Sequence, residues 1–86
     1  MTFYITERFK RAYKALPEGL KAQAKEALKR MGSDLRHPSL RVKKIKGTRD
    51  IWEARVSLEC RLTFNLIKDK VVLRNIGRHD ETIKRP

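Results

Sequence analysis

The sequence contains few of the residues on which metal sites and disulfide scaffolds depend. It has one cysteine and two histidines among its 86 residues. A single cysteine cannot form an intramolecular disulfide, and with two distant histidines it cannot complete a zinc site. We therefore expect no metal ion and no other cofactor. Cys60 is interpreted as a small buried hydrophobic residue of a reduced, cytoplasmic protein.

The sequence also lacks long hydrophobic runs and is poor in acidic residues. Its apolar runs, such as residues 71–73, are far too short to cross a bilayer, and its N-terminus has no apolar signal segment. No membrane partner is therefore expected. Lysine and arginine number 22 against 10 aspartate and glutamate residues, so the net charge is +12. This excess favours a polyanionic partner, above all nucleic acid or an acidic protein.

Hydrophobic periodicity divides the chain into helices and strands, and residues 1–86 are interpreted as one domain. A β-prone segment precedes two amphipathic helices. The first is capped by Thr6, and the second begins at Pro17 and ends near Gly32. A period of two then predicts strands near 40–45, 51–57, 60–67 and 70–76. The predicted fold is α+β, in the order β-α-α-β-β-β-β. Its two N-terminal helices form an antiparallel hairpin packed on one face of a small twisted, mostly antiparallel sheet.

The register of the last hairpin follows from its alternating apolar residues. A two-residue loop at residues 68–69 pairs Ile67 with Lys70 and Thr63 with Arg74. This register separates an apolar face, which belongs to the core, from a polar face.

The turn before that hairpin admits two lengths. A two-residue loop at 58–59 would place Arg55 on the core face. A three-residue loop at 58–60 pairs Arg55 with Thr63 and leaves no unpaired buried charge, so it is predicted. The sheet face away from the helices is then uncovered and carries Arg55, Arg61, Thr63, Asn65 and Arg74. These are either ordinary polar positions or an oxyanion-binding face, because the arginine fork matches phosphate.

A second basic feature is the stretch RVKKIKGTR at residues 41–49, which has no acidic residue. Its lysines are Lys43, Lys44 and Lys46. They either protect an edge strand against pairing or track phosphates at the rim of the same site. The net charge favours the second interpretation.

The stretch NIGRHDET at residues 75–82 concentrates ionisable side chains after the last predicted strand. Gly77 is expected to take a positive φ and to turn the chain towards the arginine face. The ionisable residues are Arg78, His79, Asp80 and Glu81. Histidine can take and give a proton near neutral pH, and arginines can hold a phosphodiester and stabilise its transition state. Together they suit metal-independent RNA cleavage by attack of a ribose 2′-OH.

Several motifs occur in a characteristic order. They are the LP helix break, HPSL before the basic strand, WEARV at residues 52–56, RLTF at 61–64, and VVL running on into IGRHDE at 71–81. This ordered set covers nearly the whole chain. It resembles the RelE/ParE superfamily of bacterial toxins, and the RelE/YafQ-type branch in particular.

The resemblance implies a type II toxin that cleaves mRNA on the ribosome and is neutralised by a cognate antitoxin. It implies that Arg61 contacts the scissile phosphate, that His79 is catalytic and that Arg55 belongs to the site. The second acid or base stays open among Glu81, Asp80 and the lysines of the basic stretch. Ile83 occupies the place where many relatives have an aromatic residue.

The resemblance leaves two other functions open. One is a ParE-like toxin that inhibits DNA gyrase by binding and catalyses nothing. The other is a basic RNA-binding relative without activity. The fold is shared by the active and the inactive members, so it does not decide between them.

Overall fold

The computed structural model describes all residues from 1 to 86. Its elements in chain order are β1 (Thr2–Ile5), α1 (Glu7–Lys14), α2 (Glu18–Ser33), a short 3-10 helix (Pro38–Leu40), β2 (Lys43–Lys44), β3 (Ile51–Arg55), β4 (Cys60–Ile67), β5 (Lys70–Arg78) and α3 (His79–Lys84). No helix combines the length and the apolar composition that crossing a membrane requires.

The five strands form one sheet in the order β1-β5-β4-β3-β2. Neighbouring strands from β2 to β5 are antiparallel, and β1 lies parallel to β5 at the edge. The predicted α+β class, the mostly antiparallel sheet and the order β-α-α-β-β-β-β are confirmed. The helix α3 was not predicted.

The two N-terminal helices begin and end close to their predicted positions. The side-chain oxygen of Thr6 accepts a hydrogen bond from the backbone N–H of Phe9 at 3.1 Å, which caps α1 as predicted. Pro17 is the N-cap of α2 and not its first residue, and α2 continues one residue past Gly32.

The helices bury their apolar residues against one face of the sheet. The buried cluster consists of Phe9, Ala24, Ala27 and Met31 from the helices, Leu40, and Ala54, Cys60, Leu62, Phe64, Val71, Leu73 and Ile76 from the sheet. Burying one large side chain of this kind stabilises the fold by about 1.5–3 kcal/mol. This burial determines which sheet face remains for polar side chains.

The β4–β5 hairpin contains a bulge that the predicted register lacked. Near the turn the pairing is as predicted, with Ile67 opposite Lys70. Beyond Phe64 the register shifts, so that Thr63 pairs with Asn75. The predicted pairing of Thr63 with Arg74 is therefore wrong. One extra residue in β5 opposes β4 at this point.

The physical reason for the bulge is the next apolar residue of β5. A shift by one residue moves every later side chain to the other face of the sheet. In the unshifted register Asn75 would enter the core and Ile76 would face away from it. With the shift, Ile76 pairs with Leu62 and is buried.

The β3–β4 turn has the predicted faces but a different register. Arg55 pairs with Arg61, so the predicted pairing with Thr63 is wrong. Residues 56–59 link the strands, and the N–H of Val56 donates to the carbonyl of Cys60 at 3.0 Å. The displacement amounts to two positions, and an even displacement leaves each side chain on its predicted face.

The sheet face opposite α1 and α2 is partly covered, contrary to prediction. Here α3 and the two residues after it lie against β4 and β5. The hydroxyl of Thr63 donates to the carbonyl oxygen of Pro86 at 2.8 Å, and the Asn75 side chain donates to that of Arg85 at 3.0 Å. Thr63 and Thr82 are buried beneath this segment. The hydrogen bond of the Thr63 hydroxyl offsets the cost of its burial.

Gly77 has a different role from the predicted turn. Its φ is not positive, and β5 runs straight through it to Arg78. It lies opposite Arg61, and a Cβ atom at this position would be 3.1 Å from Oγ1 of Thr82. The missing side chain thus allows α3 to approach the strand closely.

We predict that Gly77→Val displaces α3 and lowers the free energy of unfolding by about 1–3 kcal/mol, because a branched side chain overpacks this contact. Urea unfolding and hydrogen exchange of the α3 amides would measure both effects. Gly19→Val is the matched control, since nothing lies within 4 Å of a Cβ there. Equal stability of the two variants would contradict the prediction.

Candidate functional site

A shallow cleft of about 240 Å³ lies between the β3–β4 turn and the start of α3. It is lined by Leu58, Glu59, Arg61, Arg78, His79 and Asp80. The structure therefore brings together Arg61 and three residues of the NIGRHDET stretch. Half of the lining residues come from the β3–β4 turn and the start of β4, and the other half from the end of β5 and the start of α3.

His79 is positioned by its backbone and by its neighbour. Its N–H donates to the carbonyl oxygen of Glu59 at 2.7 Å, which ties the start of α3 to the β3–β4 turn. Its ring atom Nδ1 lies 3.1 Å from Oδ1 of Asp80. A carboxylate at Nδ1 orients an imidazole and leaves Nε2 available for proton transfer. The His79 side chain is 45% exposed, so a ligand in the cleft can reach it.

Arg61 is the most constrained residue of the cleft. Its Nη1 donates to the carbonyl oxygens of Ser57, Leu58 and Cys60 at 2.6, 3.1 and 3.1 Å. Its Nε lies 3.6 Å from Oε1 of Glu53. The side chain is only 15% exposed. The guanidinium therefore fixes the turn, and Nη2 is its one nitrogen with neither a hydrogen bond nor an ion pair within the protein.

Glu53 and Glu59 are two acidic residues of this region that the sequence-based interpretation missed. Glu53 is buried beside Arg61, and its carboxylate makes no hydrogen bond. Glu53 lies two residues before Arg55 on the same strand, and residues two apart share a sheet face, so the sequence could have placed this carboxylate among the arginines. Glu59 is exposed and lines the cleft. No sequence signal distinguished it from an ordinary turn residue.

The other predicted arginines do not line the cleft. Arg74 donates from Nε to the carbonyl oxygen of Pro86 at 3.2 Å and from Nη1 to Oδ1 of Asn65 at 2.7 Å, so the C-terminal segment occupies it. Arg55 is half-buried beside Arg61 on β3. The predicted arginine face is thus divided between a structural part and the cleft.

Glu81 and the predicted lysines also lie elsewhere. Glu81 lines a groove with Arg8 and Gly77 and does not line the cleft. Lys43 and Lys44 are exposed on β2, opposite Glu53 and Trp52, and Lys46 is exposed just after that strand. β2 is the far edge of the sheet, two strands away from β4.

Cys60 lies next to the cleft but is a buried residue of the core, as interpreted from the sequence. Burial raises the pKa of its thiol, and the smaller effects of the Arg61 charge and of a hydrogen bond with the Gly77 backbone act in the opposite direction. The thiol therefore stays protonated near neutral pH and is a poor nucleophile.

Solved toxin structures share this architecture. A chain of the RelB–RelE antitoxin–toxin complex from Methanococcus jannaschii matches with a TM-score of 0.78 at 18% identity, over 96% of this chain and 99% of that chain. YafQ from E. coli strain BL21(DE3) matches with a TM-score of 0.78 at 13% identity, over 92% of this chain and 93% of that chain. The YoeB/ParE toxin from Agrobacterium tumefaciens matches with a TM-score of 0.75 at 12% identity, over 92% of this chain and 99% of that chain. This chain has the RelE/ParE toxin fold.

No protein-family model and no curated protein matches the sequence. At identities of 12% to 18%, the structural matches describe the fold alone. What a protein with the RelE/ParE fold does has to be argued from its cleft. In this chain the cleft combines an oriented histidine, two arginines and two exposed carboxylates.

We predict that Arg61→Met lowers the free energy of unfolding by about 3–5 kcal/mol, because it leaves the Glu53 carboxylate buried without a cation. The double variant Arg61→Met with Glu53→Gln should regain part of this loss, since no buried charge remains although the turn carbonyls still lack their donor. Urea unfolding at pH 7 would measure both. Equal losses in the single and the double variant would show that the ion pair does not couple the two residues.

We also predict that Cys60 in the folded protein reacts with iodoacetamide at pH 8 far more slowly than in concentrated urea. Burial both raises the pKa of the thiol and blocks access to it. Mass spectrometry of the alkylated protein would follow the reaction. Similar rates in the folded and the unfolded protein would contradict the burial of Cys60.

Proposed function

We propose that the protein is the toxin of a type II toxin–antitoxin system and an endoribonuclease that cleaves mRNA on the ribosome, in the cytoplasm. The observation that carries this proposal is the His79–Asp80 pair in a cleft shared with Arg61 and Arg78. These groups can supply proton transfer and phosphate binding without a metal ion.

In the proposed reaction the ribose 2′-OH attacks the adjacent phosphorus, and the bond from phosphorus to the 5′ oxygen of the next nucleotide breaks. The products are a 2′,3′-cyclic phosphate and a 5′-hydroxyl end. The 2′-OH loses a proton and the leaving oxygen gains one, so the reaction uses a base and an acid. His79 acts through Nε2 as one of them, because Asp80 engages Nδ1.

The second proton-transfer group is assigned to Glu59. Glu59 lines the cleft, and its backbone oxygen accepts a hydrogen bond from the N–H of His79 at 2.7 Å. Glu81, which the sequence also suggested, lines a different groove. Arg78 and the free Nη2 of Arg61 would hold the phosphate oxygens, whose negative charge increases in the transition state.

The proposed protein partner is an acidic cognate antitoxin. A net charge of +12 favours such a partner as much as it favours RNA. The similar chains come from an antitoxin–toxin complex of RelB with RelE and a toxin–antitoxin complex of DinJ with YafQ. A short reading frame for an acidic protein beside the gene would support the same proposal.

We predict that His79→Ala lowers mRNA cleavage about 10²–10⁴-fold, which is the usual contribution of one acid or base. Primer extension on mRNA incubated with purified ribosomes and the protein would measure cleavage. Arg11→Ala, at an exposed position of α1, is the control for a general loss of function. Undiminished cleavage by a folded His79→Ala protein would overturn the catalytic role.

Glu59→Gln should lower cleavage by a comparable factor, because the amide cannot take up the proton. Glu26→Gln, at an exposed position of α2, is its matched control. If Glu59→Gln retains full activity while His79→Ala does not, the second proton is transferred by another group.

A non-catalytic, ParE-like toxin that inhibits DNA gyrase is the second candidate. The observation that favours it is the engagement of Arg61 and Arg74 by other groups of the protein, which leaves fewer free guanidinium groups for phosphate. Inhibition of gyrase supercoiling without any RNA cleavage would establish this function. Binding of RNA with neither activity would indicate an inactive basic relative.

A further inference from the structure

A second concave site lies on the other side of the sheet, where the chain leaves α2. This cavity of about 400 Å³, the tryptophan pocket, is lined by Arg36, His37, Arg41, Val42, Trp52 and Leu66, together with two further apolar residues. Trp52 pairs with the core residue Phe64, so the pocket is on the face that α1 and α2 cover. None of its lining residues is acidic.

The loop that forms the pocket wall is held by local hydrogen bonds. The N–H of Arg36 donates to Oδ1 of Asp34 at 3.0 Å. Nδ1 of His37 accepts from the N–H of Ser39 at 3.2 Å and lies 2.7 Å from its hydroxyl, which fixes the imidazole at the start of the 3-10 helix. The loop is therefore ordered by its own side chains and needs no partner for its shape.

Arg41 has an unusual backbone conformation at the pocket. Its φ is 44° and its ψ is 47°, in the left-handed region that residues with a side chain seldom adopt. Strained residues of this kind concentrate at binding sites. Here the conformation ends the 3-10 helix and places an exposed arginine at the same pocket as Trp52.

The chemistry of the pocket matches a flat aromatic ring that carries an anionic group. A half-buried indole with Leu66 and Val42 provides the apolar part, and two exposed arginines provide the cationic part. Nucleobases stack on tryptophan, and phosphate binds the arginine fork. Free phosphate would not use the indole, and a purely apolar peptide would not use the guanidinium groups.

We propose that the tryptophan pocket is a nucleotide-binding subsite that holds one base and one phosphate of single-stranded RNA. That the nucleotide belongs to an RNA strand rests on the proposed function. Leu66 is five residues from Arg61 along β4, or about 16 Å at 3.3 Å per residue, and on the opposite face. The pocket therefore binds a nucleotide other than the one that is cleaved.

The single tryptophan of the chain makes this proposal directly measurable, because fluorescence excited at a wavelength that tyrosine does not absorb reports on this pocket alone. We expect AMP and UMP to quench Trp52 saturably, and inorganic phosphate to leave its emission unchanged. Arg36→Ala and Arg41→Ala should each weaken nucleotide binding about tenfold or more. Arg11→Ala removes the same charge elsewhere and should bind like the wild type.

In the cleavage assay, the double variant Arg36→Ala with Arg41→Ala should raise KM and leave kcat unchanged, because the pocket does not touch the reacting atoms. Nucleotide quenching that persists in this folded double variant would overturn the subsite. So would quenching by the tripeptide Glu–Phe–Glu but not by nucleotides, which would mark a peptide-docking surface.

The subsite and the proposed function fail in different ways. Saturable, arginine-dependent quenching by nucleotides in a protein that cleaves no RNA would support the subsite and overturn the nuclease. Cleavage that depends on His79, in a protein whose Trp52 does not respond to nucleotides, would support the nuclease and overturn the subsite.

Discussion

The burial of Ile76 in the core sets the geometry of the last strand and of the helix that follows it. To place this side chain in the core, β5 takes one extra residue next to Phe64 of β4. The same shift sets Gly77 opposite Arg61. A Cβ atom at position 77 would lie 3.1 Å from Oγ1 of Thr82, so the glycine lets α3 lie close to the strand. The cleft exists because α3 then begins beside the β3–β4 turn.

The arginines of this basic protein divide into two groups according to their surroundings. Arg61 and Arg74 are held by carbonyl oxygens, and they stabilise the turn and the C-terminal segment. Arg78 in the cleft and Arg41 at the tryptophan pocket are exposed. A guanidinium with several protein partners has fewer donors left for phosphate. The net charge therefore overstates the number of arginines that can bind RNA.

Cleavage and RNA attachment are separated in the proposed mechanism. The cleft contains the proton-transfer groups, whereas the tryptophan pocket offers an indole, two arginines and no carboxylate. The two sites share no residue and lie on opposite faces of the sheet. One can therefore be altered by mutation without distorting the other, because the sheet lies between them.

Local patterns in the sequence were enough to predict the fold class, the order of the first seven elements and, as far as the bulge in β5, which side chains lie on each sheet face. These follow from hydrophobic periods of 3.6 and 2, which act over a few neighbouring residues. The joint position of Arg61 with His79 was also foreseeable, from the resemblance and from the alternating strands. The residues that line the cleft beside them, above all Glu59, were not.

The bulge, the C-terminal helix and the division of the arginines depend on contacts between segments that are distant in the chain. The bulge places Ile76 and not Asn75 in the core. Whether it forms depends on the residues of β4 that pair with this part of β5. α3 is a short, strongly polar segment whose only fully buried residue is Thr82, so it has no apolar stripe that a periodicity could reveal. Whether an arginine is free or occupied depends on carbonyl groups that folding brings beside it, and no local pattern in the sequence records them.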